Sequence, residues 1–388
     1  MIETPVVRSL WSRVGDTHVE GTPAVRESAA ERHDRLLGLV RERGSARVSD
    51  LASQLGVSPV TVRRDVEDLA GRGLLDRVHG SVSWPQGQGA AASEAAGGGL
   101  VLGMLAPSAT YYFAEVIRGA HEAAARAGAR LILRISDYRP EEDHARTQGL
   151  LAAGAEGVLI APGWRRPGDP AAYGDWITSL PVPTVLLERQ PAAGSPLDGL
   201  DRVCSDHRHG VLLALRHLVG LGHGAPLLMA RADSPTALAV RSGYEEALAV
   251  LGLRAPQDVI ASVPADHAPD AFEEAVQALR EAVVSGVATA ALIHNDVDAI
   301  QVVQRLAELG VRVPQDLALI AYDDEVAALA DTPLTAVAPP KREVGRHATD
   351  LLVERLTQAR DAGEGLPRRH LTLLPQLRVR DSCGDPVT

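Results

Sequence analysis

Ser58-Pro59-Val60-Thr61-Val62-Arg63-Arg64-Asp65-Val66, residues 58–66, is the stretch of this 388-residue chain that decides its fold. It opens with serine, a preferred N-cap, followed by proline, which favours the first helical position, and it therefore predicts the start of a helix. Val62, Val66 and Leu69 recur at i, i+4 and i+7 and predict one apolar face that packs on a core. The polar face, near the positive end of the helix dipole, suits the phosphates and guanine edges of a DNA major groove. That face carries Thr61, Arg63 and Arg64.

The segments around this helix predict a winged helix-turn-helix domain over residues 31–84. A helical pattern begins at Glu31 and ends near Gly44, a second short helix occupies 48–55, and the turn 56–58 leads into the recognition helix. The alternating run 74–82 predicts a β-hairpin wing. The residues predicted to contact DNA are Ser58, Thr61, Arg63, Arg64, Arg77 and His79. The alternative for the two helix arginines is surface pairing with Glu67 and Asp68, and for the histidine a purely structural place in the turn.

The charge distribution is consistent with local DNA contact rather than general affinity for nucleic acid or acidic membranes. The net charge of the chain is −11, whereas residues 31–82 contain nine Arg against eight Asp and Glu and are therefore mildly positive. Residues 1–30 show no clear period and are expected to be a mobile leader without a signal core. No apolar run approaches the length of a membrane span, so a soluble, cytoplasmic protein is expected.

A glycine-rich stretch, 85–99, is predicted to be a flexible linker between the DNA-binding domain and the rest of the chain. From residue 100 the pattern changes to apolar strands that alternate with helices, which predicts parallel sheets and an α/β fold. The predicted strands are 100–105, 131–133, 157–160, 183–187, 226–229, 290–294 and 317–321. So many units exceed one sheet, and we expect two lobes with a cleft between them.

Polar and aromatic side chains follow several of these strands, where ligands of parallel sheets bind. Aromatic faces together with carboxylate, amide and guanidinium groups suit a polyol, because rings stack on C–H faces and planar polar groups pair with hydroxyls. Phe113 or Tyr112 would otherwise be core residues, and Arg241 would otherwise pair with a glutamate one helical turn away. The polar and aromatic residues at these strand ends are Thr110, Tyr111, Tyr112, Phe113, Glu188, Arg189, Arg241, Asn295, Asp296, Asp323 and Asp324. Those predicted to bind the ligand are all of these except Tyr111, Asp296 and Asp324.

Two families resemble these two parts of the chain. Residues 32–84 resemble the DeoR-type winged helix-turn-helix through Leu-Ala-x-x-Leu-Gly-Val-Ser-x-x-Thr-Val-Arg-Arg-Asp at 51–65 and Arg-Val-His-Gly at 77–80. Residues 100–382 resemble the effector domain of LacI-type repressors, which is similar to periplasmic sugar-binding proteins. The shared words include Val203-Cys204-Ser205-Asp206, His217-Leu218-x-x-Leu221-Gly222-His223, Arg241-x-Gly243-Tyr244, Asn295-Asp296, Tyr322-Asp323-Asp324 and Val344-Gly345-Arg346.

The second resemblance implies a two-lobed periplasmic-binding-protein-like domain. Lobe 1 is expected to comprise 100–203 and 339–370, lobe 2 to comprise 204–338 and 371–382, and 383–388 to be a tail. The resemblance also implies a repressor that acts as a homodimer on an inverted-repeat DNA operator and whose operator affinity changes when a sugar closes the cleft. Such repressors resemble one another in a hinge helix before the effector domain, and this sequence has the glycine-rich linker there instead.

Other chemistries are weaker alternatives. A DeoR-like regulator would respond to a phosphorylated sugar, and an enzyme with a DNA-binding head would need a catalytic set, which the sequence does not show. The run Cys204-x-Asp206-His207-x-His209 resembles a metal site, but a strand-to-helix turn explains it, and Asp206 and Asp296 are expected to be helix caps. No cofactor, metal or membrane partner is therefore predicted.

Overall fold

The computed structural model describes two units of the chain. Within 1–95 it describes residues 32, 35–36, 39–40, 45–58, 61–62, 64–66, 69, 76–78 and 81–83, and within 96–388 it describes 99–384 apart from 167, 225, 266 and 362–366. The predicted leader 1–30 and linker residues 85–98 lie outside the described residues.

The first unit is a small helical core with a three-stranded antiparallel sheet. Its elements with complete bounds are β1 (Ser45–Arg47), α1 (Val48–Leu55), β2 (Asp76–Val78) and β3 (Ser81–Ser83). The strands lie in the order β1-β3-β2, and Val78 pairs with Ser81 at the end of the hairpin. β1 was not predicted, because three residues between helices carry no alternation long enough to indicate a strand.

The second unit contains two six-stranded sheets, one in each lobe. The lobe 1 sheet has the order β14-β8-β7-β6-β4-β5 and is parallel throughout, whereas the lobe 2 sheet has the order β10-β9-β11-β12-β13-β15 and ends in an antiparallel strand. The strands are β4 (Val101–Ala106), β5 (Arg130–Ile135), β6 (Gly157–Ile160), β7 (Thr184–Leu187), β8 (Asp201–Ser205), β9 (Leu227–Ala230), β10 (Ile260–Ala261), β11 (Ala290–His294), β12 (Ala318–Tyr322), β13 (Thr335–Ala338), β14 (His370–Leu373) and β15 (Gln376–Arg378).

Helices cover the faces of both sheets, as the alternation of strands and helices predicts, and the α/β fold with two lobes is confirmed. β6, β7, β11 and β12 are buried along their whole length, which is why their sequences are continuous apolar runs. The helices are α2 (Tyr112–Arg126), α3 (Pro140–Ala152), α4 (Asp169–Tyr173), α5 (His207–Gly220), α6 (Pro235–Leu251), α7 (Pro269–Val284), α8 (Asp296–Glu308) and α9 (Lys341–Asp361). Within the described residues, no helix has the length and apolarity that a membrane span needs.

The lobe boundaries differ from the predicted ones at two crossings. β8 runs through Ser205 and pairs with β7 in lobe 1, so the predicted boundary at 203 cuts a strand. Residues 370–373 pair with β8 and also belong to lobe 1, although 371–373 were predicted in lobe 2. The predicted tail begins too early, since Cys383 is buried and its thiol contacts the Leu319 carbonyl of lobe 2. Crossing points depend on strand pairing, which local patterns do not encode.

Lobe 1 is held together by a close helix pair, α2 and α9. A Cβ atom added at Gly119 would lie 1.9 Å from the carbonyl oxygen of Arg342, and one added at Gly345 would lie 1.9 Å from that of Val116. The two backbones therefore touch directly, which only glycine permits at these two positions. Both glycines are part of the packing and neither is part of a ligand site.

Candidate DNA-binding and ligand-binding sites

The recognition helix begins as its first residues predict. Ser58 Oγ accepts a hydrogen bond from the Thr61 N–H at 3.1 Å, and the Ser58 carbonyl accepts the first helical bond from Val62. Val62, Val66 and Leu69 are buried in the core of this unit, whereas Arg64 is exposed and Thr61 is half-buried. The helix therefore presents its polar face to solvent, where that face is accessible to a DNA groove.

An ion pair that sequence reasoning missed fixes the recognition helix on its support. Arg32 Nε lies 2.6 Å from Asp65 Oδ2, and the second guanidinium nitrogen donates to Oδ1 at 2.9 Å. Asp65 is buried although it belongs to the helix that carries residues predicted to contact DNA. Two parallel hydrogen bonds of this kind fix orientation as well as distance. The 33-residue separation of the two partners explains why no local pattern indicated the pair.

The remaining predicted DNA contacts are only partly located. Arg77 lies in β2, where it pairs with Val82 of β3, as a wing residue should. Arg63 and His79 lie outside the described residues. Their roles stay predictions.

On the lobe 1 side of the cleft, Glu188 is buried in a hydrogen-bond network instead of facing open space. The Tyr112 hydroxyl donates to Glu188 Oε1 at 2.8 Å, and the N–H and hydroxyl of Ser205 donate to its two oxygens at 3.0 and 2.8 Å. His207 Nε2 is 3.8 Å away. Burial opposes ionisation, but His207 and these donors together lower the pKa of Glu188. The Tyr112 hydroxyl and both Glu188 oxygens are therefore engaged within the protein, and the predicted ligand contacts of these two residues stay predictions.

Arg189 holds the loop after β6. Its Nε donates to the Pro162 carbonyl at 2.9 Å, and a second nitrogen donates to the Glu188 carbonyl at 2.9 Å. The guanidinium lies 5.9 Å from the centre of the Phe113 ring, which itself packs edge-on against Tyr112. Arg189 and Phe113 are thus neighbours, as predicted, but the arginine is buried and spends its donors on backbone carbonyls.

Two residues of lobe 2 that were predicted to bind the ligand also form hydrogen bonds with backbone groups. Arg241 donates to the carbonyls of Arg231 and Ala230 at the end of β9 and not to Glu245 or Glu246, the alternative partners one turn away. Glu246 pairs with Arg208 instead. Asn295 Oδ1 accepts the Asp298 N–H at 3.1 Å and is the N-cap of α8. The predicted cap Asp296 is therefore wrong by one residue. Asp206 caps α5 as expected.

Asp323 lies at the cleft, where a tyrosine of lobe 1 meets it. Its backbone has a φ of 74°, and its carboxylate is buried. The hydroxyl of Tyr111 lies 2.5 Å from Asp296 Oδ1 and 3.3 Å from Asp323 Oδ2. Burial, Asp323 and Asp296 all raise the pKa of Tyr111, so the phenol stays protonated and donates. Thr110, in contrast, is exposed and bonds to Ser108 within its own turn.

Sequence reasoning missed several other groups at the cleft. Lys341 Nζ lies 2.6 Å from Glu325 Oε1 and 3.8 Å from Asp323 Oδ1. Arg231 pairs with Asp298, which also accepts from Ser262, and Arg165 of lobe 1 pairs with Asp233 of lobe 2 at 2.8 Å. Lys341 had one signal, since it is the single lysine of the sequence. Arginines beyond strand ends carried no comparable signal.

A cavity of about 910 Å³ opens between the lobes. Lobe 1 contributes Trp164 and the loop around Arg189, and lobe 2 contributes the starts of α5 and α6. Of the predicted ligand-binding residues, Glu188 and Arg189 line it. Its charged lining consists of Arg165, Arg166, Arg189, Arg202 and Arg208 against Asp175, Glu188 and Asp206, with His207 between them.

Asp143 supports the cavity loop 161–166 from behind. Its Oδ2 accepts the Gly163 N–H at 2.8 Å, and the side chain is fully buried on α3. Burial raises the pKa of this carboxyl to about 6, against the lowering effect of the Gly163 N–H. Its charge therefore changes near neutral pH, next to the loop that carries Trp164.

We expect Asp143→Asn to remove a pH dependence of effector-domain stability. A folded pKa of about 6 against 3.8 means that the stabilising contribution of the neutral acid is full below pH 3.8 and is lost as the pH rises through 6. Two pKa units correspond to about 3 kcal/mol. Asp143→Asn should therefore have a free energy of unfolding higher than that of the unchanged protein by nearly this amount at pH 8, and equal to it at pH 4. Urea unfolding at both pH values measures the difference. Parallel curves for the two proteins would contradict the assignment.

No set of side chains in the described part of the chain could hold a metal ion. The candidate run at 204–209 is a strand end and a helix start, because Cys204 is buried in β8 and Asp206 caps α5. Burial raises the pKa of the Cys204 thiol to about 12, which keeps it neutral.

Comparisons with known proteins agree with both units. A DeoR-like helix-turn-helix domain matches residues 32–87, and a periplasmic binding protein-like domain matches residues 215–383. The HTH-type transcriptional repressor PurR of Vibrio atlanticus is 28% identical over 267 residues, which cover 66% of this chain and 74% of that protein. The ribose operon repressor of Escherichia coli is 27% identical over 286 residues, which cover 73% and 82%.

Among solved structures, the lac repressor dimer bound to operator and the anti-inducer ONPF shares the fold. Its TM-score is 0.59 at 22% identity, over 74% of this chain and 95% of that one. Both the family models and the relatives therefore agree with what the residues indicate. The chain contains a DeoR-like helix-turn-helix domain and a periplasmic-binding-protein-like domain, and over most of its length it is similar to transcriptional repressors such as PurR and the ribose operon repressor.

Proposed function

We propose that this chain is a DNA-binding transcriptional repressor of carbohydrate-utilisation genes, whose operator affinity is controlled by a sugar-like ligand in the cleft between the lobes. The observation that carries the proposal is a capped, outward-facing recognition helix in the same chain as a two-lobed domain whose cleft is lined by buried polar groups. The relatives named above are repressors rather than enzymes, and the proposal needs no catalytic step or cofactor. DNA and small metabolites meet in the cytoplasm, where we place the protein.

We further propose that the chain acts as a homodimer on an inverted repeat. Two recognition helices related by a two-fold axis would enter successive major grooves, and the lac repressor that shares the fold is a dimer on its operator. Ligand binding in the cleft would then change the relative placement of the two heads and thus the operator affinity.

The experiment that tests this function is a mobility-shift assay with the full chain. Duplexes from the regions flanking its own gene are titrated with and without aldoses, starting with D-ribose because one relative is a ribose operon repressor. The proposal expects one duplex to bind specifically and one sugar to change that affinity. Binding of every duplex with equal affinity, at any salt concentration, would contradict it.

The cavity lining favours a second ligand class, an anionic sugar. Five arginines face three carboxylates there, and the carboxylate of Glu188 is already bound by Tyr112 and Ser205. Arg165, Arg202 and Arg208 already pair with Asp233, Asp198 and Glu246, and Arg189 binds backbone carbonyls. A phosphate or carboxylate group of the ligand would therefore meet the guanidinium of Arg166. The exposed guanidinium of Arg166 is thus the observation that favours the DeoR-like alternative, whereas Glu188 and Asp323 are the acids that would repel a phosphate.

We expect D-ribose 5-phosphate to bind at least about ten-fold more tightly than D-ribose if the ligand is anionic, since a charged hydrogen bond contributes about 1.5–3 kcal/mol. Arg166 lines the cavity and is exposed, so Arg166→Ala should remove most of that preference without affecting the neutral sugar. Isothermal titration of both proteins with both compounds measures it. Tighter binding of D-ribose than of D-ribose 5-phosphate would indicate that the cleft binds a neutral sugar.

A further inference from the structure

The acidic end of the cleft is occupied by a tyrosine from the opposite lobe. Tyr111 precedes α2 in lobe 1, and its hydroxyl reaches Asp296 and Asp323 of lobe 2 at 2.5 and 3.3 Å. The residue has a φ of 51° and a ψ of −125°, a backbone conformation that favours glycine and is strained for a tyrosine. Its position therefore depends on contacts that offset this strain, which include the hydrogen bonds across the cleft and packing against the lobe 1 core.

The carboxylates of Asp296 and Asp323 differ in how many of their oxygens already accept hydrogen bonds. Asp296 Oδ2 accepts the backbone N–H groups of Glu325, Val326 and Ala327 at 2.7, 2.6 and 3.1 Å, so one oxygen is fixed to lobe 2 and the other faces Tyr111. Asp323 Oδ1 is buried and, within the described residues, has no hydrogen-bond partner. A buried acceptor without a partner is costly, and a donor from a ligand would satisfy it.

Lys341 adds a second contact across the same gap. It begins α9 of lobe 1, and its ammonium pairs with Glu325 of lobe 2 at 2.6 Å while lying 4.9 Å from the Tyr112 ring and 6.0 Å from the Tyr111 ring. The side chain is only 4% exposed. Burial lowers its pKa, but Asp323, Glu325 and Asp296 outweigh burial and raise it, so the ammonium stays charged.

We propose that Tyr111 and Lys341 form a latch, defined by their contacts with Asp296, Asp323 and Glu325, that holds the lobes together without a ligand. The Tyr111 hydroxyl occupies the place of a ligand donor, so a ligand enters by supplying a hydroxyl or N–H group to the same carboxylates. Tyr111 is then a specificity-determining residue of the cleft. This inference takes the cleft as the ligand site and so rests on the proposed function.

The single lysine makes the latch directly measurable, without DNA or ligand. In the full chain, Lys341 is the only side-chain amine, and acetylation by acetic anhydride can be followed by peptide mass spectrometry against the α-amino group of the same chain. Tyr111→Phe removes the hydroxyl but keeps the ring beside the ammonium, so the lysine keeps its immediate partners. We expect Lys341 to react at least five-fold faster in this variant, because the cleft opens more often.

Tyr173→Phe is the matched control, since Tyr173 is 39% exposed. Its backbone carbonyl accepts a hydrogen bond from the Trp176 indole, and the substitution keeps that carbonyl. Hydrogen exchange of the amides at 325–327 gives a second readout, and it should increase in Tyr111→Phe while the melting temperature of the domain shows that the variant is folded. Rates within two-fold of the control in both measurements would overturn the latch. Loss of operator control with an intact latch would instead contradict the proposed function alone.

Discussion

Arg64→Ala should weaken operator binding by at least ten-fold for each DNA-binding head and leave the fold intact. Arg64 is exposed on the polar face of the recognition helix, six residues after the Ser58 cap, and a good guanidinium contact to DNA contributes about 1–3 kcal/mol. Because a dimer would carry the change twice, the loss should be squared on an inverted repeat. Fluorescence anisotropy with a labelled operator measures it.

Arg254→Ala is the control for this experiment. Arg254 is an exposed residue of the effector domain, so the variant loses the same charge at a distance in sequence from the recognition helix. The salt dependence also separates two kinds of contact, since loss of a phosphate contact lowers the slope of log K against log salt by about 1 and weakens all duplexes alike. Equal affinities of the two variants would remove Arg64 from the DNA interface.

Gly345→Ala should lower the thermal stability of the effector domain by roughly 5–10 °C, because it forces α2 and α9 apart. The added Cβ would lie 1.9 Å from the Val116 carbonyl oxygen, a backbone atom that cannot turn aside as a side chain can. Overpacking costs typically about 1–3 kcal/mol and more where the neighbour is rigid, and 1 kcal/mol shifts the melting temperature of a large domain by about 2–4 °C. Circular dichroism melting of the full chain measures the shift.

Gly149→Ala is the matched control. Gly149 lies inside α3, and a Cβ there would have only the end of the Arg134 side chain nearby, at 4.0 Å. Alanine is the better helix former, so this variant should be unchanged or more stable by about 0.5–1 kcal/mol. If Gly345→Ala melts at the same temperature as Gly149→Ala, the two helices adjust to the added methyl group without cost, and the prediction is wrong.

Much of the fold follows from local patterns. The Ser58 cap, the apolar positions 62, 66 and 69, and the alternation of strands and helices after residue 100 each depend on a few adjacent residues, and the structure has all of them. The candidate site was harder to predict. Reasoning from strand ends placed Glu188, Arg241 and Asn295 near the cleft, but the structure commits their polar groups to neighbouring hydroxyls and backbone.

The sequence by itself determined the two domains, their order, the capped recognition helix and the strand ends at which polar groups collect, because caps and hydrophobic periods act over one or two turns or a single strand. Only the tertiary structure decided which partners those groups take. Tyr111 and Asp296 are 185 residues apart, and Arg32 and Asp65 are 33 apart, so each pair exists only once the chain has folded. The same holds for the contact of Gly119 with the Arg342 backbone, which depends on the distance between two packed helices and on no pattern within either.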